Sequence, residues 1–226
     1  MEDLVKAHKI FRDEVTAAAW SFFVWKSFNR IVSKDDELYQ RINVNALSWN
    51  VITHSLQSTF FITIGRLFDI DGAAFSVHAF LRSCIENIGQ FSLEALRQRK
   101  IDDNGGVVPD WLDDYMANSY TPTENDFQRI RGEVSKYQKV YEDIYKPIRH
   151  QLIAHKEKES IEKADELFGK TNIGHIEELL DFFHQIENIV FDLLHNGKLN
   201  EIGFYSFSES ERVEKDVNDL LEKLKA

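Results

Sequence analysis

A long stretch of helical periodicity at the start of the chain is the feature that most constrains its fold. From residue 2 to residue 32, apolar side chains recur at the three- and four-residue spacing of one helix face. The positions in this stripe are Leu4, Ile10 or Phe11, Val15, Ala18, Phe22, Trp25 and Val32. The 226-residue sequence contains only three prolines and ten glycines, a composition that favours helices over a turn-rich β architecture. We therefore expect an all-α protein.

Similar patterns predict most of the remaining helices. Thr123 and Ser92 are suitable N-cap residues, and the sequence Ser-Glu-Ser-Glu at 208–211 is a capping box. The predicted helices span residues 2–32, 37–68, 74–100 with an interruption near Gly89, 124–146, 174–195 and a short last helix after residue 208.

Long helices with short connections predict an antiparallel up-and-down bundle. We expect residues 1–195 to form the bundle and residues 196–226 to form a C-terminal appendage with a short helix. Residues 101–123 carry glycines, prolines and acidic side chains and are expected to be irregular, either as a lid or as a surface loop. Residues 199–207 are expected to be extended.

The composition also limits the class of protein. The single cysteine, Cys84, excludes an internal disulfide and is typical of a reducing compartment. The sequence starts MEDLVKAH without a signal-like segment, and its apolar runs are shorter than the roughly 20 residues that span a bilayer. A net charge of −11 argues against a protein that coats nucleic acid in general. These features predict a soluble, cytoplasmic protein with no membrane partner.

The charge is unevenly distributed along the chain. Residues 101–128 contain seven acidic residues and no Lys or Arg, whereas residues 129–158 contain eight Lys or Arg, four Asp or Glu and two histidines. The basic part includes the sequence IRHQLIAHKEK at residues 148–158. This local excess of positive charge suits an anionic ligand.

Pro147, directly before that stretch, is expected to interrupt the helix or to restart it. Proline lacks the backbone N–H that a helix interior requires, and it disfavours α geometry at the preceding residue. Arg149 and His150 would then lie in a first helical turn, where free N–H groups attract phosphate. The planar guanidinium of Arg149 would add bidentate contacts to phosphate oxygens.

His155 continues an apolar stripe that contains Ile148 and Leu152, and we expect it on the buried or interface side of the helix. A straight helix would place it about 120° around the axis from Arg149. A histidine at a partly buried seam beside a cation is suited to proton transfer. A structural histidine and an ordinary arginine at a helix start explain the same residues without catalysis.

The pattern Arg149-His150-x4-His155 resembles the signature of the HEPN superfamily, an arginine and a polar residue followed by a histidine. RLFD at residues 66–69 ends a long apolar helix, and a loop, a third helix and the motif on a later helix follow it. This layout is similar to the abortive-infection, AbiU-type branch of the superfamily. The resemblance covers about residues 35–195. It implies a HEPN-like homodimer in which two motif helices meet in one cleft.

The resemblance also implies a function: metal-independent RNA cleavage that leaves a 2′,3′-cyclic phosphate, with no cofactor. Carried over, His155 is the acid–base group and Arg149 holds the scissile phosphate. His150 stands where the family more often has Asn or Asp, and it either orients Arg149 or titrates itself. We expect RNA as substrate and a role in prokaryotic phage defence or as a toxin with a possible antitoxin. The alternative is a non-catalytic HEPN-like module that dimerises and binds RNA, a nucleotide or a protein.

A second candidate site lies on the predicted helix 174–195. Asp181, His184, Asp192 and His195 share a helix face and could bind a metal, but a continuous polar stripe there favours a solvated face. No metal site is expected.

Two histidines, one Arg–Asp pair and the cysteine lie outside these patterns. His54 and His78 are expected to be core or groove histidines. Arg66 and Asp69 are expected to form an ion pair at a helix end or, alternatively, to line the cleft. Cys84 is expected to be an inert buried thiol.

Overall fold

The computed structural model describes residues 2–70, 75–154, 164–204, 207 and 209–225, and within these ranges the chain is helical without β-strands. The prediction of an all-α fold is confirmed. Short 3₁₀ and π-type turns extend several helices, at Ile88–Phe91, Tyr141–Tyr145, Arg149–Ala154 and Asp192–Asn196. The main helices are α1 (Glu2–Val32), α2 (Asp36–Val44), α3 (Ala46–Leu67), α4 (Val77–Glu86), α5 (Leu93–Asp103), α6 (Leu112–Ala117), α7 (Glu124–Val140), α8 (Ala164–Gly169), α9 (Ile173–Phe191) and α10 (Glu209–Glu222).

Several helix boundaries lie where the sequence predicts them. Helix α1 spans the predicted residues. Helix α5 starts after Ser92, whose hydroxyl accepts a hydrogen bond from the N–H of Ala95 at 3.2 Å. Helix α7 starts after Thr123, which forms a capping box with Asp126. Local side-chain chemistry therefore determines these starts.

Three predicted elements differ from the structure. The expected helix at 37–68 is two helices, because Asn45 leaves the helical region at φ −121° and ψ 37°. Asparagine disfavours helix interiors since its side chain competes for backbone hydrogen bonds. The stretch expected to be irregular contains α6. The stretch expected to be extended contains a turn, in which the N–H of Phe204 donates to the carbonyl of Glu201 at 3.1 Å.

The chain forms two compact units, the first drawn from residues 1–13, 68–141 and 174–206. Aromatic side chains fill its core: the rings of Phe11 and Phe80 stack at 4.4 Å, and those of Tyr137 and Phe182 at 4.0 Å. A buried pair lies beside them, with Nε2 of His8 2.9 Å from a carboxylate oxygen of Glu187. This carboxylate has a direct partner, as burial of a charged group requires.

The second unit is drawn from residues 14–67, 142–173 and 207–226. Here α10 inserts Val217 and Leu221 into a cluster with Phe28, Val32, Leu38 and Ile42. Lys225, after α10, lies 2.6 Å from the carboxylate of Asp35 before α2. The division of the chain at residues 195 and 196 stays a prediction.

Helix α3, in the second unit, changes character along its length. Its second half buries Phe60, Phe61 and Ile64, whereas Leu47 and Val51 in its first half are 80% and 58% exposed. Residues 42–65 contain no Asp, Glu, Lys or Arg. Even so, none of the helices in the described ranges is both long enough and apolar enough to cross a membrane.

Candidate functional site

The helix runs through Pro147 instead of restarting there. Tyr141–Tyr145 and Arg149–Ala154 form π-type turns, and Lys146–Ile148 between them are α-helical. A proline ring normally meets the carbonyl four residues earlier in an α-helix. The π turn before Pro147 is one residue wider, and this extra width gives the ring room.

This continuity corrects one part of the predicted site. Tyr145 and Arg149 both have right-handed helical backbone angles, and the N–H of Arg149 donates to the carbonyl of Lys146. A free helix N-terminus at Arg149 and His150 is therefore absent, and that prediction is wrong. Any anion held here must be bound by side chains.

Two buried side chains anchor the motif segment, which we define as residues 146–154, and the turn before it. Ile148 is fully buried, and Tyr145 is 1% exposed. The hydroxyl of Tyr145 donates to the carbonyl of Asn172 at 3.1 Å, and its ring lies 6.3 Å from that of Phe61 in α3. The prediction that Ile148 faces the interior is confirmed.

Arg149 packs its side chain against α3 at Gly65. A Cβ atom added to Gly65 would overlap Cδ and Nε of Arg149 and would lie 2.9 Å from its Cζ. Nε is buried and has no hydrogen-bond partner among the described residues, while the residue as a whole is half-buried. Because Gly65 has no side chain, the Arg149 side chain can lie directly against the backbone of α3.

Arg66, the residue after Gly65 in α3, is held in an ion pair. Arg66 donates from Nε and Nη2 to one carboxylate oxygen of Glu14 in α1, at 2.9 and 2.7 Å. Its Nη2 also lies 3.2 Å from the hydroxyl of Thr63. The ion pair of Arg66 is therefore made with α1, and the expected partner Asp69 is not the one observed. No carboxylate among the described residues pairs with Arg149 in the same way.

The two histidines of the predicted motif differ in what the structure describes. His150 is exposed. His155 lies outside the described residues, so its distance from Arg149 stays a prediction. The structure thus gives the setting of Arg149 and His150 but not the complete constellation.

The single histidines and the cysteine have different settings. Nε2 of His78 lies 3.1 Å from the side-chain oxygen of Gln138, whose amide donates to the carbonyl of Phe68 at 3.2 Å. His78 is therefore part of a structural network. His54 is exposed, so its expected place in a core or groove is wrong. Cys84 is buried, and burial raises the pKa of its thiol well above the ordinary value, as expected of an inert cysteine.

The polar stripe of α9 is half-buried rather than solvated. Asp181 accepts a hydrogen bond from Gln185 at 2.6 Å, and His184 lies 3.0 Å from the amide of Asn188. Burial lowers the pKa of His195, and the nearby charge of Arg99 acts in the same direction. Among the described residues no three His, Cys, Asp or Glu side chains form a group that could hold a metal ion.

Sequence reasoning missed two residues of this region, Gly65 and Glu14. An isolated glycine inside a helical pattern lowers helix stability, and such a position often has a packing reason. That signal was available for Gly65. No local pattern points to Glu14, because its partner Arg66 is distant in the sequence.

A family of known proteins matches nearly the whole chain. The HEPN family model described as AbiU2 matches residues 1–219 of the chain. No curated protein and no solved structure matches it at a significant level.

Proposed function

The chain belongs to the AbiU2 family of HEPN proteins, and we propose that it is a metal-independent endoribonuclease acting in abortive infection. The family match supports the coarser part, a role in defence. The residues around Arg149 support the finer part, cleavage of RNA.

The observation that carries the proposal is the contrast between Arg149 and Arg66. Arg66 is neutralised by Glu14, whereas Arg149 has no acidic partner in the part of the chain that the structure describes. An arginine that is held by packing but not neutralised keeps its charge for a ligand. Its planar guanidinium suits two oxygens of a phosphate diester.

The proposed reaction is transfer within the RNA chain. The 2′-hydroxyl loses its proton and attacks the adjacent phosphorus, and the bond to the 5′-oxygen breaks. The 5′-oxygen takes up a proton, which leaves a 2′,3′-cyclic phosphate and a 5′-hydroxyl. His155 serves as the acid–base group, Arg149 stabilises the charge that develops on the phosphate, and His150 assists by orienting Arg149 or by titrating.

We further propose that the active form is a homodimer. The exposed first half of α3 presents Leu47 and Val51 within the uncharged residues 42–65. Two copies with a net charge of −11 repel each other, and an uncharged face is where they can meet with least repulsion. Contact through the same face of both copies gives a two-fold dimer. The motif segment packs against the same helix at Gly65, about 21 Å along the axis from Val51, so a single helix connects the proposed interface to each site.

Cleavage of RNA in the presence of EDTA tests the proposed activity. The purified protein is incubated with several RNAs beside Arg149→Ala, His155→Ala and, as a matched control, Arg129→Ala, whose exposed side chain belongs to the first unit. We expect cleavage with cyclic-phosphate ends by the wild type and the control, and about a 10²–10³-fold loss in the Arg149 variant. Cleavage that survives in both motif variants would place the activity elsewhere.

The dimer has its own test. Leu47→Glu should convert the protein to monomers in light scattering coupled to size exclusion, because a charge would enter the uncharged face. Leu220→Glu, at a 55% exposed position on α10, is the matched control and should leave the mass unchanged. A wild type that is monomeric at all concentrations tested would exclude this interface.

The alternative is a non-catalytic module that dimerises and binds RNA, a nucleotide or a protein partner. For a protein partner, a groove of about 410 Å³ between α1 and α10 is available, lined by Trp20, Val24, Val213, Val217 and Leu220 together with charged residues. Trp20 is 50% exposed there, and its indole N–H donates to Glu209 at 2.8 Å. RNA binding without cleavage by the folded wild type would favour this alternative.

A further inference from the structure

The geometry points to Gly65 as a positioning residue for Arg149, a role that deepens and rests on the proposed ribonuclease function. The family match concerns the chain as a whole and assigns nothing to this position.

Gly65 is buried in the interior half of α3, where a residue with a side chain would normally be favoured. A glycine in a helix interior is less favourable than alanine. The space that a methyl group would occupy is filled here by the Arg149 stem. The glycine therefore has a packing reason that lies outside its own helix.

The atoms that touch Gly65 matter for the ligand-binding end of Arg149. The contact involves Cδ and Nε, the atoms that set the direction of the guanidinium plane. Since Nε has no hydrogen-bond partner in the described ranges, packing against Gly65 is what sets the direction of that plane there. A methyl group at Gly65 must push the stem away, so the terminal nitrogens leave the place from which they would hold a phosphate.

Gly132 of α7 provides a matched control. It is also a helical glycine, but a Cβ added there would meet no atom of the described residues within 4 Å. Gly132→Ala should therefore raise Tm by about 2–4 °C through helix propensity and leave cleavage unchanged.

The first arm of the test is a double-mutant cycle in thermal unfolding, and it requires no activity. In an Arg149→Ala background, Gly65→Ala should raise Tm by about 2–4 °C, as Gly132→Ala does. In the wild-type background Gly65→Ala should leave Tm unchanged or lower it, because the added methyl group must displace the Arg149 side chain. Equal rises in both backgrounds would overturn the inference.

The second arm measures single-turnover cleavage and the affinity for a 2′-O-methyl RNA, which cannot be cleaved. Gly65→Ala should lower kcat about 100-fold with a smaller change in KM, and the double variant should be no slower than Arg149→Ala. The affinity for the 2′-O-methyl RNA should fall in Gly65→Ala but not in Gly132→Ala. Additive losses of kcat, or unchanged cleavage by Gly65→Ala, would overturn the positioning role.

A wild type that binds but does not cleave, with the Tm coupling and the affinity loss intact, would refute the ribonuclease proposal alone.

Discussion

Two arginines, Arg99 in the first unit and Arg149 in the second, each bury an Nε that has no hydrogen-bond partner in the part of the chain that the structure describes. Arg99 is 7% exposed, and its Nη2 donates to the carbonyl of Leu194 at 2.7 Å. That carbonyl belongs to the turn after α9, where the end of the helix favours a positive charge. Arg149 is half-buried and has no carbonyl or carboxylate partner among the described residues. Both side chains are therefore buried as far as Nε, and they differ at the terminal nitrogens. We infer that these nitrogens decide whether the arginine is structural, as Arg99 is, or a candidate ligand-binding residue, as Arg149 is.

The largest expected difference between the two is in RNA cleavage. Arg149→Ala should lower kcat by about 10²–10³-fold, because a charge that stabilises the transition state is removed. Arg99→Ala should retain full activity per folded molecule. Single-turnover kinetics normalised to the folded fraction from circular dichroism measures both. Equal losses would show that burial, not the terminal nitrogens, decides the function.

For the free energy of unfolding the order of the two effects should reverse, so that Arg99→Ala has the larger effect. Arg99→Ala leaves the Leu194 carbonyl without its donor and removes a buried stem, at about 1–3 kcal/mol in the free energy of unfolding. Arg149→Ala removes a packed stem but no hydrogen bond in the described part of the chain, so it should lower this free energy by only about 0.5–1 kcal/mol. Urea unfolding followed by fluorescence gives the two values. A larger change for Arg149 would mean that it acts mainly as a packing residue.

Arg66 gives a third, intermediate case. It is paired with Glu14, but the side chains are 41% and 29% exposed, and solvent weakens such an ion pair. We expect Glu14→Gln to lower the free energy of unfolding by at most about 1 kcal/mol and to leave kcat near the wild-type value. Urea unfolding and cleavage assays on the same preparation test this. A rise in RNA affinity of Glu14→Gln would instead mean that Glu14 withholds Arg66 from the substrate.

The smallest expected effect concerns pH. Burial lowers the pKa of His195, and the charges of Arg99, His8 and Lys100 add to this, while Asp103 opposes it. The unfolded chain then binds the proton first, so stability should fall as the pH drops through the ordinary histidine range near 6.5. Arg99→Met should make the fall in Tm shallower between about pH 7.5 and about pH 5.5, since one cause is removed. Parallel Tm curves for the variant and the wild type would contradict this cause.

The helices that the sequence predicts correctly are those whose signals are local. The periodicity of α1 and the caps at Ser92 and Thr123 depend on neighbours within a few residues. The rule that proline ends a helix failed at Pro147, because a π turn relieved the clash on which the rule rests. That relief depends on the fold around Tyr145 and Ile148, which the local sequence does not contain.

The candidate site, like the helices, could be predicted from the sequence only where the signal is local. The motif residues Arg149, His150 and His155 can be found from their spacing, since spacing is a property of the chain. The partners that decide what each arginine does, Gly65 and Glu14, lie far away in the sequence. A contact of this kind appears only when the chain is folded, so the difference between Arg66 and Arg149 could not be predicted.

The π turn at Tyr141–Tyr145 has a consequence for how the chain tolerates insertions and deletions. It holds one residue more than an α turn, so in effect it stores a single-residue insertion inside a continuous helix. Deleting one residue there would close the wide turn to an α turn ahead of Pro147, while the later residues would keep their positions around the helix axis. Arg149 would still face Gly65, but the proline ring would lose the room that the wider turn gives it. A one-residue gap at this point in an aligned relative should therefore leave the arginine in place and be accompanied by another residue where this chain has Pro147.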